Sequence, residues 1–424
     1  MPPTMDLTVA LRNQLERQVS HWQAATVALD DPTAFASPIA WQALERYLDR
    51  AVRTSLGRST ERLRLEVVGL RTELDSARTT SQLMSVARRL QRVRRSYAQV
   101  ETVVSFYTDA VNTRTSPVLG AHLRALDQLA IASMATVLGP LGRPVPPVLT
   151  YVDKGLGAAI LRAGVRLWDG QLSPAAAIKI TRHNLYRPTS LVHETGHQVA
   201  HIIGWTPEAG ARIATVLGDD AELAILWRSW TSEMVADAYA FAHCGYGAVA
   251  ALHDVVANEL ESVMHFSPGD PHPISYLRVL LGVAMCRSSF GSGPWDALEA
   301  AWVATHPLSG AQRGVRELIA RSLPRVRSIA DLLVGGQFSA FGARSLVDLV
   351  DVRTVAPAEL EQMAALAGPS LFTSSHLVRR EGLRIVALTG LRIATDPART
   401  PQHVADFSRF AQTLGSPSPI TRVA

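Results

Sequence analysis

The sequence predicts a mainly α-helical protein of the α+β class, with one small β-sheet near its middle. Apolar residues recur at helical spacing through most of the first 140 residues. A Pro- and Gly-rich stretch at 139–147 cannot continue a helix, and short β-permissive runs follow it. We therefore expect a helical N-terminal domain at 1–140, a central domain at 141–310 and a helical C-terminal domain at 311–424.

Two long amphipathic helices are expected in the N-terminal domain. Apolar side chains step by three or four positions from 63 to 77 and again from 83 to 107, with a break at 79–81. The second segment has no acidic residue between positions 79 and 100 and carries a run of arginines: Arg88, Arg89, Arg92, Arg94 and Arg95. Such a run is typical of a solvent-exposed helix face, and a phosphate-binding patch is the alternative interpretation.

The central domain is expected to begin with short strands and to continue with longer helices. Strands are predicted at 148–152, 164–168 and 176–181, helices at 189–204 and 221–244, and a loop at 267–273. Helices are predicted in the C-terminal domain at 315–323, 358–367 and 403–414, followed by a frayed tail from 415.

Composition excludes several classes of protein. Hydrophobic residues make up 47% of the 424 residues and charged residues 19%, which is typical of a folded chain. The net charge of +5 is modest, so no nucleic-acid partner is inferred. Two cysteines and a charged N-terminus without an apolar core predict a cytoplasmic protein without disulfides. No apolar run approaches the ~18–20 residues that a membrane span requires.

The chemically informative segment is LVHETGH at residues 191–197. On a helix, His193 and His197 project from one face a single turn apart, so both imidazoles can reach one tetrahedral zinc ion. Glu194 lies beside them, where its carboxylate can take a proton from a zinc-bound water and pass it to a leaving amine. The alternative is a pair of surface histidines on an amphipathic helix, which would need no partner downstream.

A partner for these histidines is present in SEMVAD at residues 232–237. On a second predicted helix, Glu233 is available as a third ligand, and Asp237 lies one turn later to accept a hydrogen bond from a ligating histidine. Two histidines and one glutamate leave the fourth position for water, as catalytic zinc sites do. We therefore predict Zn²⁺ as the cofactor, with His193, His197 and Glu233 as its ligands.

These motifs resemble the gluzincin metallopeptidases, in which glutamate from a following helix completes an HExxH helix (HExxH…ExxxD). The DPHP loop at 270–273, with Arg278 after it, is most similar to the HtpX-type and CAAX prenyl protease group. The HETGHQVAH stretch is also similar to soluble ImmA/IrrE-type peptidases. The resemblance covers about residues 148–290. It implies a zincin-like catalytic domain flanked by helical domains, with 176–181 as the edge strand that receives a peptide substrate.

Other polar residues have structural interpretations beside functional ones. His272 could stabilise the oxyanion of a tetrahedral intermediate or order its own loop, and both interpretations stay open. His201 is better explained as a packed or hydrogen-bonded residue than as a ligand, and His183 as a structural residue. Arg278 and Tyr239 are weaker candidates for the site. Residues 219–220 are predicted to form a loop or helix cap, and three tryptophans to form core: Trp205, Trp227 and Trp230.

The expected function is a zinc-dependent metalloendopeptidase acting on a protein or peptide substrate, with Glu194 as general base. The helical terminal domains would control access to the site or dock a regulatory protein partner. The alternative is a catalytically latent zincin scaffold that acts as a regulatory or interaction protein. Neither nucleic acid nor a membrane span is expected among its partners.

Overall fold

The structure is a computed structural model that describes residues 6–155, 158–163, 173, 175–218 and 220–416. The described chain is mainly helical with one small sheet, which confirms the coarse fold class. The strands are β1 Val148–Asp153, β2 Ala159–Leu161 and β3 Ala176–Thr181. The first helices are α1 Leu7–Ala28, α2 Pro38–Leu48, α3 Val52–Ser76, α4 Thr80–Thr113 and α5 Pro117–Leu138. After the sheet follow α6 Thr189–Ile203, α7 Trp205–Leu217, α8 Ala221–Ser229, α9 Thr231–Cys244, α10 Tyr246–Val256, α11 Leu260–Val263, α12 Ser275–Phe290, α13 Pro294–Thr305, α14 Arg313–Ser322, α15 Val326–Gly335, α16 Leu346–Leu349, α17 Pro357–Ala367, α18 Ser375–Arg380, α19 Gly382–Thr395 and α20 Thr400–Gly415.

The chain forms two compact units rather than three domains. One contains Met1–Ser116 with Arg162–Ala175, and the other contains Pro117–Leu161 with Ala176–Ala424. The predicted boundary at 139–147 therefore falls inside the second unit, where this stretch joins α5 to β1. The predicted boundary at 310 has no counterpart, because helices from both sides of it pack together, as α12 does with α15 and α10 with α19.

Hydrogen bonds explain why α5 belongs to the second unit. The buried carboxylate of Asp127 accepts hydrogen bonds from the backbone N–H and the hydroxyl of Thr150 on β1, both at 2.8 Å. At the other end of the chain, Arg124 donates to the carbonyl of Gly415 at 2.7 Å. A buried carboxylate needs such partners, so α5 cannot leave this unit without a large desolvation cost.

The first unit confirms the predicted long helices. α1, α3 and α4 pack on one another, and their buried side chains are the periodic ones, including Leu63, Leu70, Leu83 and Leu90. Burying each such leucine stabilises the fold by about 1.5–3 kcal/mol. The break between α3 and α4 is a capping box, in which the Thr79 hydroxyl accepts from the N–H of Gln82 at 3.3 Å and the Gln82 side chain accepts from the N–H of Thr79.

The sheet in the second unit has the strand order β1-β3-β2. β3 pairs in parallel with β1 and antiparallel with β2, with Ile178 opposite both Thr150 and Ile160. The prediction that 176–181 is an edge strand is therefore wrong. The sequence pattern missed β2 because three residues are too few to show alternation. The strand predicted at 164–168 lies outside the described residues.

The second unit surrounds α9 with helices on several sides. α6, α7, α10, α12, α15 and α19 all contact α9, and Trp205, Trp227 and Trp230 are buried as predicted. The helix predicted over 221–244 is interrupted at Trp230, between α8 and α9. The hydroxyl of Ser229 donates to the carbonyl of Leu226 at 2.7 Å, and the hydroxyl of Thr231 donates to that of Trp227 at 3.2 Å. Side-chain hydrogen bonds of this kind compete with the backbone bonds of a regular helix.

None of the helices in the described ranges combines the length and the apolar composition needed to cross a bilayer.

Candidate metal centre

Two packed helices, α6 and α9, carry the residues that the sequence singled out. α6 buries Leu191, Val192, Val199 and Ala200, and it ends where Gly204 adopts a left-handed conformation with φ of 72°. This register places His193 and His197 one turn apart on the side that faces α9. Glu233 lies in the first turn of α9 and faces both histidines.

Two imidazole nitrogens and one carboxylate converge between these helices. The Nε2 atoms of His193 and His197 are 3.2 Å apart. Glu233 completes a triangle of side chains, the ligand triangle, with its Oε2 3.4 Å from Nε2 of His193 and its Oε1 3.2 Å from Nε2 of His197. In the part of the chain that the structure describes, this is the group of histidine, cysteine and carboxylate side chains arranged to hold a metal ion.

The spacing of these atoms fits zinc. Zinc–ligand bonds of about 2.0–2.1 Å at tetrahedral angles place neighbouring ligand atoms roughly 3.3 Å apart. The two imidazole nitrogens, 3.2 Å apart, agree with that value, and each of them lies 3.2–3.4 Å from one oxygen of the Glu233 carboxylate. Two imidazole lone pairs that face each other at this distance repel, unless a cation or a proton lies between them. The donor set of two imidazoles and one carboxylate suits zinc.

The second nitrogen of each imidazole has its own partner. Nδ1 of His193 lies 2.9 Å from Oδ1 of Asp237, which confirms the contact expected for that carboxylate. Nδ1 of His197 lies 3.3 Å from the hydroxyl of Ser232, for which the sequence suggested no role. Partners of this kind hold the Nδ1–H tautomer, so that Nε2 keeps its lone pair for a metal.

Arg278, on α12, forms hydrogen bonds with two carboxylates of the site. Its guanidinium donates to both oxygens of Asp237, at 2.6 and 2.9 Å, and to Oε2 of Glu233 at 3.0 Å. With neutral imidazoles and ionised carboxylates, Glu194, Glu233 and Asp237 are three negative charges, and Arg278 is the one positive charge among these four groups, which are all at most 12% exposed. Two negative charges stay uncompensated, which is costly in a buried site and which a divalent cation would balance.

The pKa shifts follow the same charges. Burial by itself would lower the pKa of His193, but the carboxylates of Asp237 and Glu233 raise it to about 10. Burial would raise the pKa of Glu233, yet His193, His197 and Arg278 lower it far below its usual range. Burial would also raise the pKa of Asp237, but Arg278 and His193 lower it. The site thus favours a positive charge between the imidazoles and Glu233.

The pKa of Glu194 shifts in the opposite direction from those of Glu233 and Asp237. Glu194 is 7% exposed, and burial raises its pKa although the two histidines oppose the shift. A carboxylate with a raised pKa accepts a proton more readily near neutral pH than an ordinary glutamate. Its position next to the ligand triangle therefore suits proton transfer.

His272 lies on the solvent side of the site. Its side chain is 56% exposed, and its Nε2 is 3.8 Å from Oε2 of Glu233. Asp270 orients the ring, because its Oδ1 lies 2.7 Å from Nδ1 and also accepts the backbone N–H of His272 at 2.9 Å. The loop thus orders the residue and directs Nε2 towards the site, so both sequence interpretations remain compatible with the structure.

The remaining candidates lie outside the ligand triangle. His201 and His183 are exposed and take no part in the metal-binding group. Asp220 is the N-cap of α8, as predicted, and accepts the N–H of Leu223 at 3.0 Å. Asp219 lies outside the described residues. Tyr239 is buried in the α6–α9 contact rather than at the ligands.

Gly196 allows the two helices to approach closely, a role that the sequence analysis did not assign. A methyl group at this position would lie 3.0 Å from Cα of Ala236 and 3.0 Å from Cβ of Tyr239. Backbone atoms cannot move aside as a flexible side chain can. The glycine between Glu194 and His197 therefore sets the separation of α6 and α9, and with it the distance from the histidines to Glu233.

Replacing Gly196 with alanine is expected to weaken zinc binding at least tenfold, because α6 and α9 must separate by a few tenths of an ångström. Overpacking of this kind also costs about 1–3 kcal/mol of stability. Gly247→Ala is the matched control, since a methyl group added there would lie 3.1 Å from Gly390 in the α10–α19 contact, away from the ligands. Zinc titration should show weaker binding in Gly196→Ala alone. Equal affinity in the two variants would contradict the positioning role.

Replacing Arg278 with methionine is expected to lower the free energy of unfolding by about 3–5 kcal/mol, because Asp237 and Glu233 lose their buried counter-charge. Arg287→Met on the same helix is the control, since that arginine is 42% exposed and its ion pairs are screened by water. Urea unfolding of the EDTA-treated proteins should show a large loss only for Arg278→Met. Similar losses would show that the buried ion pairs contribute no more than the exposed ones.

Comparison with known proteins finds no matching family model, no matching curated protein and no matching solved structure. What this chain does must therefore be inferred from its own residues.

Proposed function

We propose that this protein is a zinc-dependent metalloendopeptidase that hydrolyses peptide bonds in a protein or peptide substrate. The observation that carries the proposal is the convergence of His193, His197 and Glu233 with Glu194 beside them. A site that only stabilised the fold would have four protein ligands and no need of a neighbouring base. Three ligands and a buried carboxylate are what metal-assisted hydrolysis requires.

The roles of the residues follow from their contacts. Zinc, when bound, would supply a Lewis acid that polarises the scissile carbonyl and lowers the pKa of water. Glu194 accepts the proton of the attacking water and delivers it to the leaving amine, which its raised pKa favours. Asp237 holds the His193 ring through Nδ1, and Arg278 holds Asp237 and Glu233 in place.

His272, with a proton on each ring nitrogen, is the proposed donor to the developing oxyanion. Its Nε2 faces the ligand triangle from the solvent side, and Asp270 fixes its ring. A donor held before the reaction begins stabilises developing charge without reorganisation. His272 is not proposed to hold the metal, because the group of side chains arranged for that purpose consists of His193, His197 and Glu233.

One observation favours the alternative, a catalytically latent scaffold. The ligand side chains are 15, 8 and 10% exposed for His193, His197 and Glu233. A peptide must reach these atoms, so hydrolysis of a protein substrate needs an opening wider than these exposures suggest. In the latent protein, zinc would be bound and protein substrates would be excluded until a regulatory partner docks.

The test combines zinc content with cleavage of labelled, unfolded casein by the purified chain. One zinc per chain together with zinc-dependent cleavage supports the peptidase. Zinc without cleavage of either casein or a short fluorogenic peptide supports the latent scaffold. If the chain binds no zinc at micromolar concentration, both the peptidase and the zinc-binding latent scaffold are excluded.

A further inference from the structure

A groove of about 580 Å³ lies in the second unit, and none of the three proposed metal ligands lines it. It is lined by parts of α5, α18 and α19, by the segment 350–355, and by Ala242 and His243 near the end of α9. Small-molecule sites usually have volumes of about 300–1,000 Å³. The groove therefore has room for a ligand of that size.

The lining divides into an apolar part and a charged part. The apolar side chains come from four segments of the chain: Leu129, Ile131, Val350, Val355, Leu383 and Leu414. Contact with such side chains stabilises a bound hydrocarbon by about 0.8 kcal/mol for each buried methylene. The apolar part of a ligand would be bound here by contact with these side chains, without hydrogen bonds.

The charged part of the lining has an excess of positive charge. The lining includes three arginines, Arg379, Arg380 and Arg384, and two acids, Asp351 and Glu381. Glu381 is shared between Arg380 at 3.0 Å and Arg384 at 2.8 Å. Asp351 is already bound by an arginine outside the lining, Arg353, at 2.8 Å.

The geometry of Arg384 makes this cationic side of the groove rigid. Its Nε donates to the carbonyl of Thr354 at 3.0 Å and its Nη1 to Glu381 at 2.8 Å. The guanidinium thus bridges the 350–355 segment and the start of α19. A preorganised cationic group costs little to order when an anion binds.

We propose that this groove binds a small amphipathic carboxylate, a molecule with a medium-length apolar chain and one anionic end. The chain lies on the leucine, isoleucine and valine side chains, and the carboxylate lies among the arginines. The ligand touches none of the metal ligands, so its binding requires no metal.

The test is calorimetric titration of the EDTA-treated protein with decanoate. Saturable binding is expected, at least tenfold tighter than the binding of decanol, which has the same chain without the charge. Ala132→Trp places a bulky side chain on the exposed face of α5 in the groove and is expected to abolish binding. Ala135→Trp adds the same side chain at an exposed position of α5 outside the lining and should bind decanoate as the wild type does.

Three results would overturn the proposal: no saturable binding, equal affinity for decanol, or unchanged binding in Ala132→Trp. Glu233→Gln keeps the predicted decanoate affinity, because the groove and the metal ligands share no residue. Failure of this inference is thereby distinguishable from failure of the proposed peptidase, which is tested on zinc and hydrolysis.

Discussion

Glu194→Gln is expected to retain one zinc per chain and to lose hydrolysis of casein by about 10²–10⁴-fold. Glutamine has the shape of glutamate, so the buried position beside His193 and His197 is kept. Its amide cannot take a proton from water at neutral pH. The loss should therefore fall on kcat, while zinc affinity changes little.

The measurement pairs kcat and KM for casein with zinc content, in the variant and the wild type. His201→Gln is the matched control, since it lies on the same helix and is exposed. That control should retain both zinc and activity. Undiminished hydrolysis by Glu194→Gln would contradict the general-base assignment, and loss of zinc in this variant would show that Glu194 acts as a ligand.

Loss of a ligand is the second large effect. His197→Ala and Glu233→Gln are each expected to reduce zinc from near one per chain to a small fraction after desalting, because two protein ligands rarely retain zinc. His183→Ala, which changes an exposed histidine outside the metal-binding group, should retain the metal. Zinc content equal to that of the wild type in both ligand variants would contradict the ligand assignment.

Stability gives an independent measure of the same site. A cation that binds the folded chain stabilises it, so EDTA should lower the melting temperature of the wild type. In Glu233→Gln, EDTA should change the melting temperature little, since there is little bound metal to remove. A large EDTA effect in that variant would mean that zinc stabilises the protein from another position.

Local spacing accounts for the parts of this protein that the sequence could predict. Helical periodicity predicted α3, α4 and α6, because a turn of 3.6 residues puts positions three and four apart on one face. The same rule placed His193 beside His197 and Asp237 one turn beyond Glu233. The strands β1 and β3 were predicted from β-permissive runs between turn residues.

Features that depend on residues far apart in the chain were missed or misjudged. β2 is three residues long, and its pairing made β3 a central strand instead of an edge. The Pro- and Gly-rich stretch at 139–147 looked like a domain boundary, yet the bond from Thr150 to Asp127 keeps both of its sides in one unit. A cluster of prolines and glycines shows where a helix must end. It does not show which elements pack together on either side.

The amino-acid sequence alone determined which side chains could bind a metal, because His193, His197, Glu194 and Glu233 are defined by helical spacing and by their own chemistry. Only the tertiary structure decided that they converge. The approach of α6 to α9 at Gly196 brings Glu233 within 3.4 Å of His193, and α12 carries Arg278 in from 41 residues beyond Asp237. Contacts of this kind depend on the packing of separate helices, which no local spacing encodes.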